Sequence, residues 1–460
     1  MKITRPGIAL LVGTSFAAGA AATHGDFFAR QLGIPQAVAE AVDQQSSSGM
    51  ALFRTVLDRV MADYVEPVSS RTLLDNALKG MLSGLDPHSA YMTEQQWRDM
   101  EVETSGHFGG IGLQVNDNGG LLQVVSPIDG TPAAAAGLKP GDLITAVNDR
   151  TVEGLSLDEA VAQMRGPPDT QVRLTVKRQG QDKPLEFTLT RQIIHVKSVT
   201  GRLAGDVGIL RISEFTEQTN PGVRAELRRL RAEAGGRLRG LVLDLRNDPG
   251  GLLDQAVAVS NDFLQHGGIV STRGRHAGDD RSWFASAGDD VAGTLPVVVV
   301  VNNGTASAAE IVAGALQDNG RALVLGTQTF GKGSVQTVIP LAGDGAMRLT
   351  TARYYTPSGR SIQGIGITPN VVVEASPTPE PHFGPAHEAD LLHILSNEAG
   401  AKPAPPPPAA WLPSVAQQIP RLPPVGWPAL DPAKPATDFQ MRQALVLVRA
   451  MGAERPTALR

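Results

Sequence analysis

The sequence predicts a modular chain of α/β and β units: a helical N-terminal region, a small β-rich module, an α/β core and a Pro-rich C-terminal tail. Three observations carry this. Apolar residues recur at helical spacing between 50 and 100, glycine turns alternate with short strands between 101 and 190, and three aliphatic runs near residues 243, 299 and 324 each end in a glycine- or alanine-rich stretch. At 460 residues, with 42% hydrophobic and 19% charged, the chain is long enough for two or three domains with real cores. A net charge of −5 gives no reason to invoke nucleic acid, and with no cysteine there are no disulfides, which suits an oxidising compartment.

Residues 1–22 open with the basic run Met1-Lys-Ile-Thr-Arg5, carry no charge from 7 to 22, and end in Ala20-Ala-Ala22, small residues suited to a signal peptidase. This predicts export, to a periplasmic location. The uncharged stretch is short against the roughly 20 residues of a spanning helix, and an uncleaved anchor, hence membrane association through the N-terminus, is the alternative. Residues 23–100 form the helical region. Leu52, Phe53, Val56, Leu57, Val60 and Tyr64 make one helical stripe, and Ser70 starts a second with Leu74, Ala77, Leu78, Met81 and Leu82.

Residues 101–190 hold the β-rich module. A glycine turn leads into an alternating strand in Phe108-Gly-Gly-Ile-Gly-Leu-Gln-Val115; then come the run Ala136-Gly-Leu-Lys-Pro-Gly-Asp142, a strand Leu143–Asn148, a helix Ser156–Arg165 and a strand Val172–Lys177. Together these resemble a PDZ domain. The resemblance implies that backbone N–H groups of Phe108, Gly109, Gly110, Ile111 and Gly112 hold a terminal carboxylate, while the strand from Leu113 to Val115 offers an edge to the rest of a peptide. Leu157, Ala160, Val161 and Met164 give the helix an apolar face that borders the groove or enters the core.

Residues 191–375 form the α/β core, in which the blocks around residues 243, 299 and 324 read as strands of one sheet followed by helices. Val297–Val301 reads as a buried strand, and Ala308–Leu316 as a helix, so Ser307 stands where strand turns into helix. Unpaired N–H groups at a helix N-terminus favour developing negative charge, and the small neighbours of Ser307 let a carbonyl approach. A serine there is commonly only a cap. Lys332, between two glycines in Thr329-Phe-Gly-Lys-Gly333, is a residue type whose pKa shifts readily when desolvated, so a serine-lysine dyad is chemically available.

Three blocks extend this reading: Leu243-Asp-Leu-Arg-Asn-Asp-Pro-Gly-Gly-Leu252, Asn303-Gly-Thr-Ala-Ser-Ala-Ala-Glu310 and Gly326-Thr-Gln-Thr-Phe-Gly-Lys-Gly-Ser-Val-Gln336. They resemble those of the C-terminal processing peptidases, or tail-specific proteases, a serine-lysine family with a PDZ domain. The resemblance, which covers roughly residues 50–374, implies Ser307 as nucleophile, Lys332 as base, Gln336 as the residue orienting that base, and a ClpP/crotonase-like core. Thr305 and Ala309 stand where the family is often richer in serine, which leaves Ser307 the only serine of its block. Ala308 N–H is one expected oxyanion donor, and the second comes from Gly250 or Gly251, between which the sequence does not choose. The resemblance also allows the N-terminal helices to form a homo-oligomer.

The nine histidines are scattered, and none lies in a block resembling a triad partner. His195 reads as a strand residue and His88, in Asp86-Pro-His-Ser89, as part of a structural turn. No cofactor and no metal is expected, for there is no His-Glu-x-x-His run or other ligand spacing. Residues 376–460 form the tail: an extended Pro-rich linker with Pro405–Pro408, a short helix near Ala389–Asn397, and an amphipathic stretch Asp438–Met451 that serves assembly or packs on the core. The function expected is an exported serine endopeptidase that cuts proteins near their C-termini, on partners with apolar C-terminal tails. Its rivals are a catalytically silent PDZ adaptor and acyl-thioester chemistry of the crotonase type.

Overall fold

The structure, a computed structural model, describes residues 36–128, 130–288, 290–377, 386–398, 412–431 and 434–454. The expected export segment and the Pro405–Pro408 run lie outside the described residues. Helices α1 (Gln36–Asp63) and α2 (Ser70–Ser83) carry the two stripes read from the spacing. On α1, Leu52, Val56 and Met61 are exposed, as is Tyr64 just past its end.

A short strand β1 (Ala90–Met92) leads into α3 (Glu94–Ser105), whose start is fixed by a Thr93/Gln96 capping box and whose end is closed by left-handed Gly106. The β-rich module follows. It comprises β2 (His107–Gly110), β3 (Leu113–Asn118), β4 (Leu121–Pro127), α4 (Pro132–Ala135), β5 (Leu143–Val147), β6 (Arg150–Thr151), α5 (Leu157–Met164), β7 (Gln171–Lys177), β8 (Leu185–Thr190) and β9 (Gln192–His195). Its main sheet runs β3-β4-β5-β7-β8, with β6 on β5, and β2 pairs with β9. Ile111, Val124, Ile144, Leu174 and Val176 fill its core. The face of α5 divides: Ala160 and Met164 are buried there, whereas Leu157 is exposed.

The α/β core is built on a six-stranded sheet of β10 (Val199–Ala204), β11 (Val207–Ile212), β12 (Gly240–Asp244), β15 (Val297–Val301), β16 (Ala322–Gly326) and β19 (Val371–Val372), in that order. All pairings after β10 are parallel. Helices α6 (Thr219–Glu233), α7 (Leu253–Asn261) and α8 (Ala308–Asp318) pack on one face with Leu210, Leu243 and Val299. Helix α9 (Phe439–Glu454) packs on the other with Ile209, Val242 and Val300. With both faces covered, every residue of β12, β15 and β16 is buried, which is why these strands read as largely aliphatic runs, with Asp244 the one charged residue among them. Each buried Val or Leu side chain there contributes about 1.5–3 kcal/mol. A second sheet joins β1, β13 (Gly268–Gly274), β14 (Arg281–Phe284), β17 (Ser334–Pro340) and β18 (Ala346–Tyr355), with β18 at its centre.

Three expectations need correction. The block near 324 is a strand but no helix follows it. The N–H groups of Gly331 and Lys332 go to the carboxylate of Glu310 instead of to carbonyls four residues back, and the chain turns into the β17–β18 hairpin. The helix expected near Ala389–Asn397 is a single 3-10 turn at Glu388–Asp390, ended at once by an extended Leu391 and then His393 at φ 58. The described part of the tail is no extended linker: Ala416 and Trp427 pack in the α9 core, and Trp427 meets Phe439 edge-on at 5.2 Å. Prolines forbid regular ladders there without preventing burial. The amphipathic stretch Asp438–Met451 is α9, buried against the sheet.

Candidate active site

Strand β15 delivers the chain to a turn held by Thr305, which is fully buried and donates from Oγ1 to Leu245 O at 2.8 Å. Ser307 is the N-cap of α8, with φ 53 and ψ −117, a conformation costing a non-glycine residue about 1–3 kcal/mol. Its hydroxyl makes no hydrogen bond with any described residue, so the strain presents an uncommitted, partly exposed Oγ.

Glu310 explains how that geometry is held. Its carboxylate is fully buried and collects four donors: Ser307 N at 2.8 Å and Lys332 N at 2.9 Å on Oε2, and Gly331 N at 2.8 Å with Thr329 Oγ1 at 2.5 Å on Oε1. From the other side the buried Tyr354 hydroxyl is shared between the carbonyls of Ser307, at 3.1 Å, and Lys332. One carboxylate and one phenol therefore tie the backbones of the two residues together. The Lys332 side chain makes neither a hydrogen bond nor an ion pair with any described residue, so Nζ and the Ser307 Oγ are not hydrogen-bonded to each other. Burial, joined by Arg348, holds the Lys332 ammonium below its ordinary range, while Glu388, Glu310 and Asp86 pull it back. Burial pushes Glu310 up to about 7 against the pull of its four donors.

Gln336 lies on β17 beside an irregularity in the β17–β18 register, and its amide donates to Ser334 Oγ at 3.0 Å and Thr350 Oγ1 at 3.2 Å, not to Lys332. Gly250 packs directly on the serine: a Cβ there would lie 2.8 Å from both Ser307 Cβ and Ala308 N, and its φ of 98 suits glycine. Its N–H is committed to Asp248 Oδ1 at 2.9 Å, whereas the N–H groups of Gly251 and Ala308 have no acceptor among the described residues. Asp248 itself is fully buried, with Oδ2 lacking a hydrogen-bond partner. Burial raises it to about 8; the Gly250 N–H and Arg211 act against this, and Glu214 adds to it.

A cavity of about 1070 Å³ opens beside Lys332, bordered by Pro249, Asn303, Ala306 and Phe330 and reaching Arg211 and Thr200. It lies over the carboxyl ends of the parallel strands, the usual ligand position on such sheets. In the β-rich module, Phe108, Gly109 and Gly110 belong to β2, and Ile111-Gly112 form the turn into β3. The Ile111 and Gly112 carbonyls accept from Ala133 N and Ile128 N, both at 2.9 Å, while their own N–H groups have no acceptor among the described residues. At Gly112, φ 76, a Cβ would sit 2.4 Å from Thr131. The Phe108 ring lies under Arg165, 4.8 Å away.

Glu310 was legible in principle: it stands three residues after the N-cap Ser307, the spacing of a capping box. Nothing in the sequence marks Tyr354 or Asp248. Replacing Glu310 with glutamine turns one oxygen into an NH2 facing two donors, so unfolding free energy should fall by about 2–4 kcal/mol in urea titrations. Because the folded carboxyl titrates above its ordinary value, the stability it contributes is full below about pH 4 and declines as pH rises toward 7. The glutamine variant should lack that slope, and an unchanged slope would contradict the assignment.

Residues 206–373 match the Peptidase family S41 model, residues 123–178 a PDZ domain, and residues 13–96 the N-terminal domain of the activating protease CtpB. The carboxy-terminal-processing protease of Bartonella bacilliformis is 49% identical over 350 residues, covering 76% of this chain and 80% of that one. The carboxyl-terminal-processing protease of Synechocystis sp. is 40% identical over 316 residues, 67% of this chain and 73% of its own. Among solved structures, a photosystem II D1 C-terminal processing protease is 31% identical and covers 74% of this chain and 92% of that one, with a TM-score of 0.42. These matches define a serine-type peptidase carrying a PDZ domain. The chain belongs to the C-terminal processing proteases of peptidase family S41.

Proposed function

We propose that this peptidase is an exported endopeptidase in which Ser307 attacks the peptide carbonyl, Lys332 takes the serine proton, and the PDZ domain docks the substrate's C-terminal tail. The observation carrying this reading is the shared clamp of Glu310 on Ser307 N and Lys332 N, which couples the position of an uncommitted hydroxyl to that of a desolvated amine. In the reaction, neutral Lys332 swings its Nζ to Oγ and accepts the proton as Oγ bonds to the carbonyl carbon. The oxyanion is received by the N–H groups of Ala308 and Gly251, the two free donors at the turn. Lys332 then protonates the leaving amine, and water cleaves the acyl-enzyme by the same route in reverse. Gln336 enters only if its amide leaves Ser334 and Thr350 to orient Nζ.

Docking is supported by the β3 edge, which pairs on one side only, and by the free Ile111 and Gly112 N–H groups. Exposed Leu157 beside partly buried Val161 on α5 suits an apolar tail. Export rests on residues 1–22, read as signal or anchor, and cell fractionation tests it. The exposed apolar residues of α1 favour a second copy of this chain as partner, which the mass of the full chain in solution tests. For docking, amidating a substrate's C-terminus removes the charge the loop would hold, so cleavage at low substrate concentration should slow severalfold. Equal rates for free-acid and amidated tails would refute terminal-carboxylate recognition.

A further inference from the structure

We propose that Glu388, contributed by the segment beyond β19 and backed by His88, is a positioning residue for the Lys332 turn, which rests on the reading of Lys332 as base. Glu388 lies outside the residues matched to the peptidase family and is fully buried. Its backbone N donates to Phe330 O at 2.9 Å. Its carboxylate meets His88 Nε2 at 2.9 and 3.0 Å and accepts from Gln363 Nε2 at 3.0 Å, and Gln363 Oε1 in turn accepts from Gly333 N at 2.9 Å. The next residue back, His387, reaches Thr329 O through Nδ1 at 3.2 Å. The turn Thr329–Gly333 is thus gripped from outside by this segment and from inside by Glu310. A turn of two glycines has little stiffness of its own, so these contacts decide where the Lys332 stem starts.

Glu388 also places negative charge beside the amine. The groups facing Lys332 are Arg348 from β18, Glu310 from α8, Asp86 from the loop before β1, and Glu388 itself; Glu388 additionally faces His88 and the buried Tyr354. Arg348 also donates to His88 O at 3.0 Å, which joins the cationic and anionic sides of this shell. Glu388 therefore favours the protonated lysine, and removing its charge favours the free amine.

The test is the pH profile of kcat/KM for full-length wild type, Glu388→Gln and Lys332→Ala. In Glu388→Gln the acid limb should move to lower pH by half a unit to one unit, so that activity relative to plateau, one unit below the wild-type limb, rises about 2.5- to 5.5-fold. The plateau itself should fall because the turn is less well held. A lowered plateau with an unmoved limb would reduce Glu388 to a structural residue and overturn the proposal. Should Glu388→Gln not fold, Glu388→Met replaces it: the same charge is removed with an apolar side chain of similar length, so the limb should again move to lower pH, and an unmoved limb would overturn the proposal equally. Retained turnover in Lys332→Ala would instead sink the base assignment, so the two failures are distinguishable.

Discussion

Ser307→Ala should abolish turnover, with kcat falling on the order of 10⁴-fold or more, because no other group at the turn can form the acyl-enzyme. Stability should hardly change. The hydroxyl donates no hydrogen bond to any described residue, so its loss should cost less than about 0.5–1 kcal/mol. Ser307→Gly separates the two roles of the residue more sharply. Glycine adopts φ 53 freely, so this variant should be equally inactive yet more stable by about 1–2 kcal/mol in chemical denaturation, recovering strain that the native residue carries to present its oxygen. Turnover at a tenth of wild type in either variant would remove Ser307 as nucleophile. An inactive wild type acting only as a peptide-binding adaptor would show no difference between the three proteins.

Lys332→Ala should be about as damaging, and Lys332→Arg should not rescue it, since a guanidinium stays protonated at any working pH. In the wild type kcat/KM should rise with pH as the lysine loses its proton, with the limb below the ordinary lysine value of about 10.4 because burial and Arg348 both disfavour the ammonium. The same desolvation has a stability consequence of defined sign. A lysine whose folded value is depressed costs stability at all pH below that value, and the cost fades as pH rises to the unfolded value. Lys332→Met should therefore raise the melting temperature at neutral pH and lose that advantage near pH 10. A flat pH-rate profile in a protein shown to be folded, or substantial activity in the arginine variant, would show that the lysine acts only as a positive charge.

The conformation of the pair bears on both expectations. Nζ and Oγ are not hydrogen-bonded although their backbones share two tethers, so the dyad proposed here would be completed by a side-chain rotation of Lys332 with the turn held in place. Such a step costs far less than rebuilding Thr329–Gly333, where the Thr329 hydroxyl and the N–H groups of Gly331 and Lys332 are already spent on Glu310.

Local chemistry made much of this protein readable from its sequence. The aliphatic runs at 297–301 and 322–325, and the run at 241–245 broken only by Asp244, read as strands covered on both faces, and helical stripes marked α1, α2 and α9 through a periodicity that needs no partner to be visible. The strand-to-helix position of Ser307 followed from the same local rules. What the sequence could not settle were matters of who meets whom at long range. The choice of Gly251 over Gly250 as free donor depends on the Asp248 carboxylate folding back onto one N–H, the missing helix after β16 on Glu310 capturing that segment's donors, and the packed tail on a sheet face that had to be covered. His88 and Glu388 meet across 300 residues, where no periodicity or propensity carries a signal. Sequence determines conformation where the energy is local to a few residues; only the tertiary structure decided these contacts, because a buried carboxylate takes its donors from whichever strands the fold brings beside it.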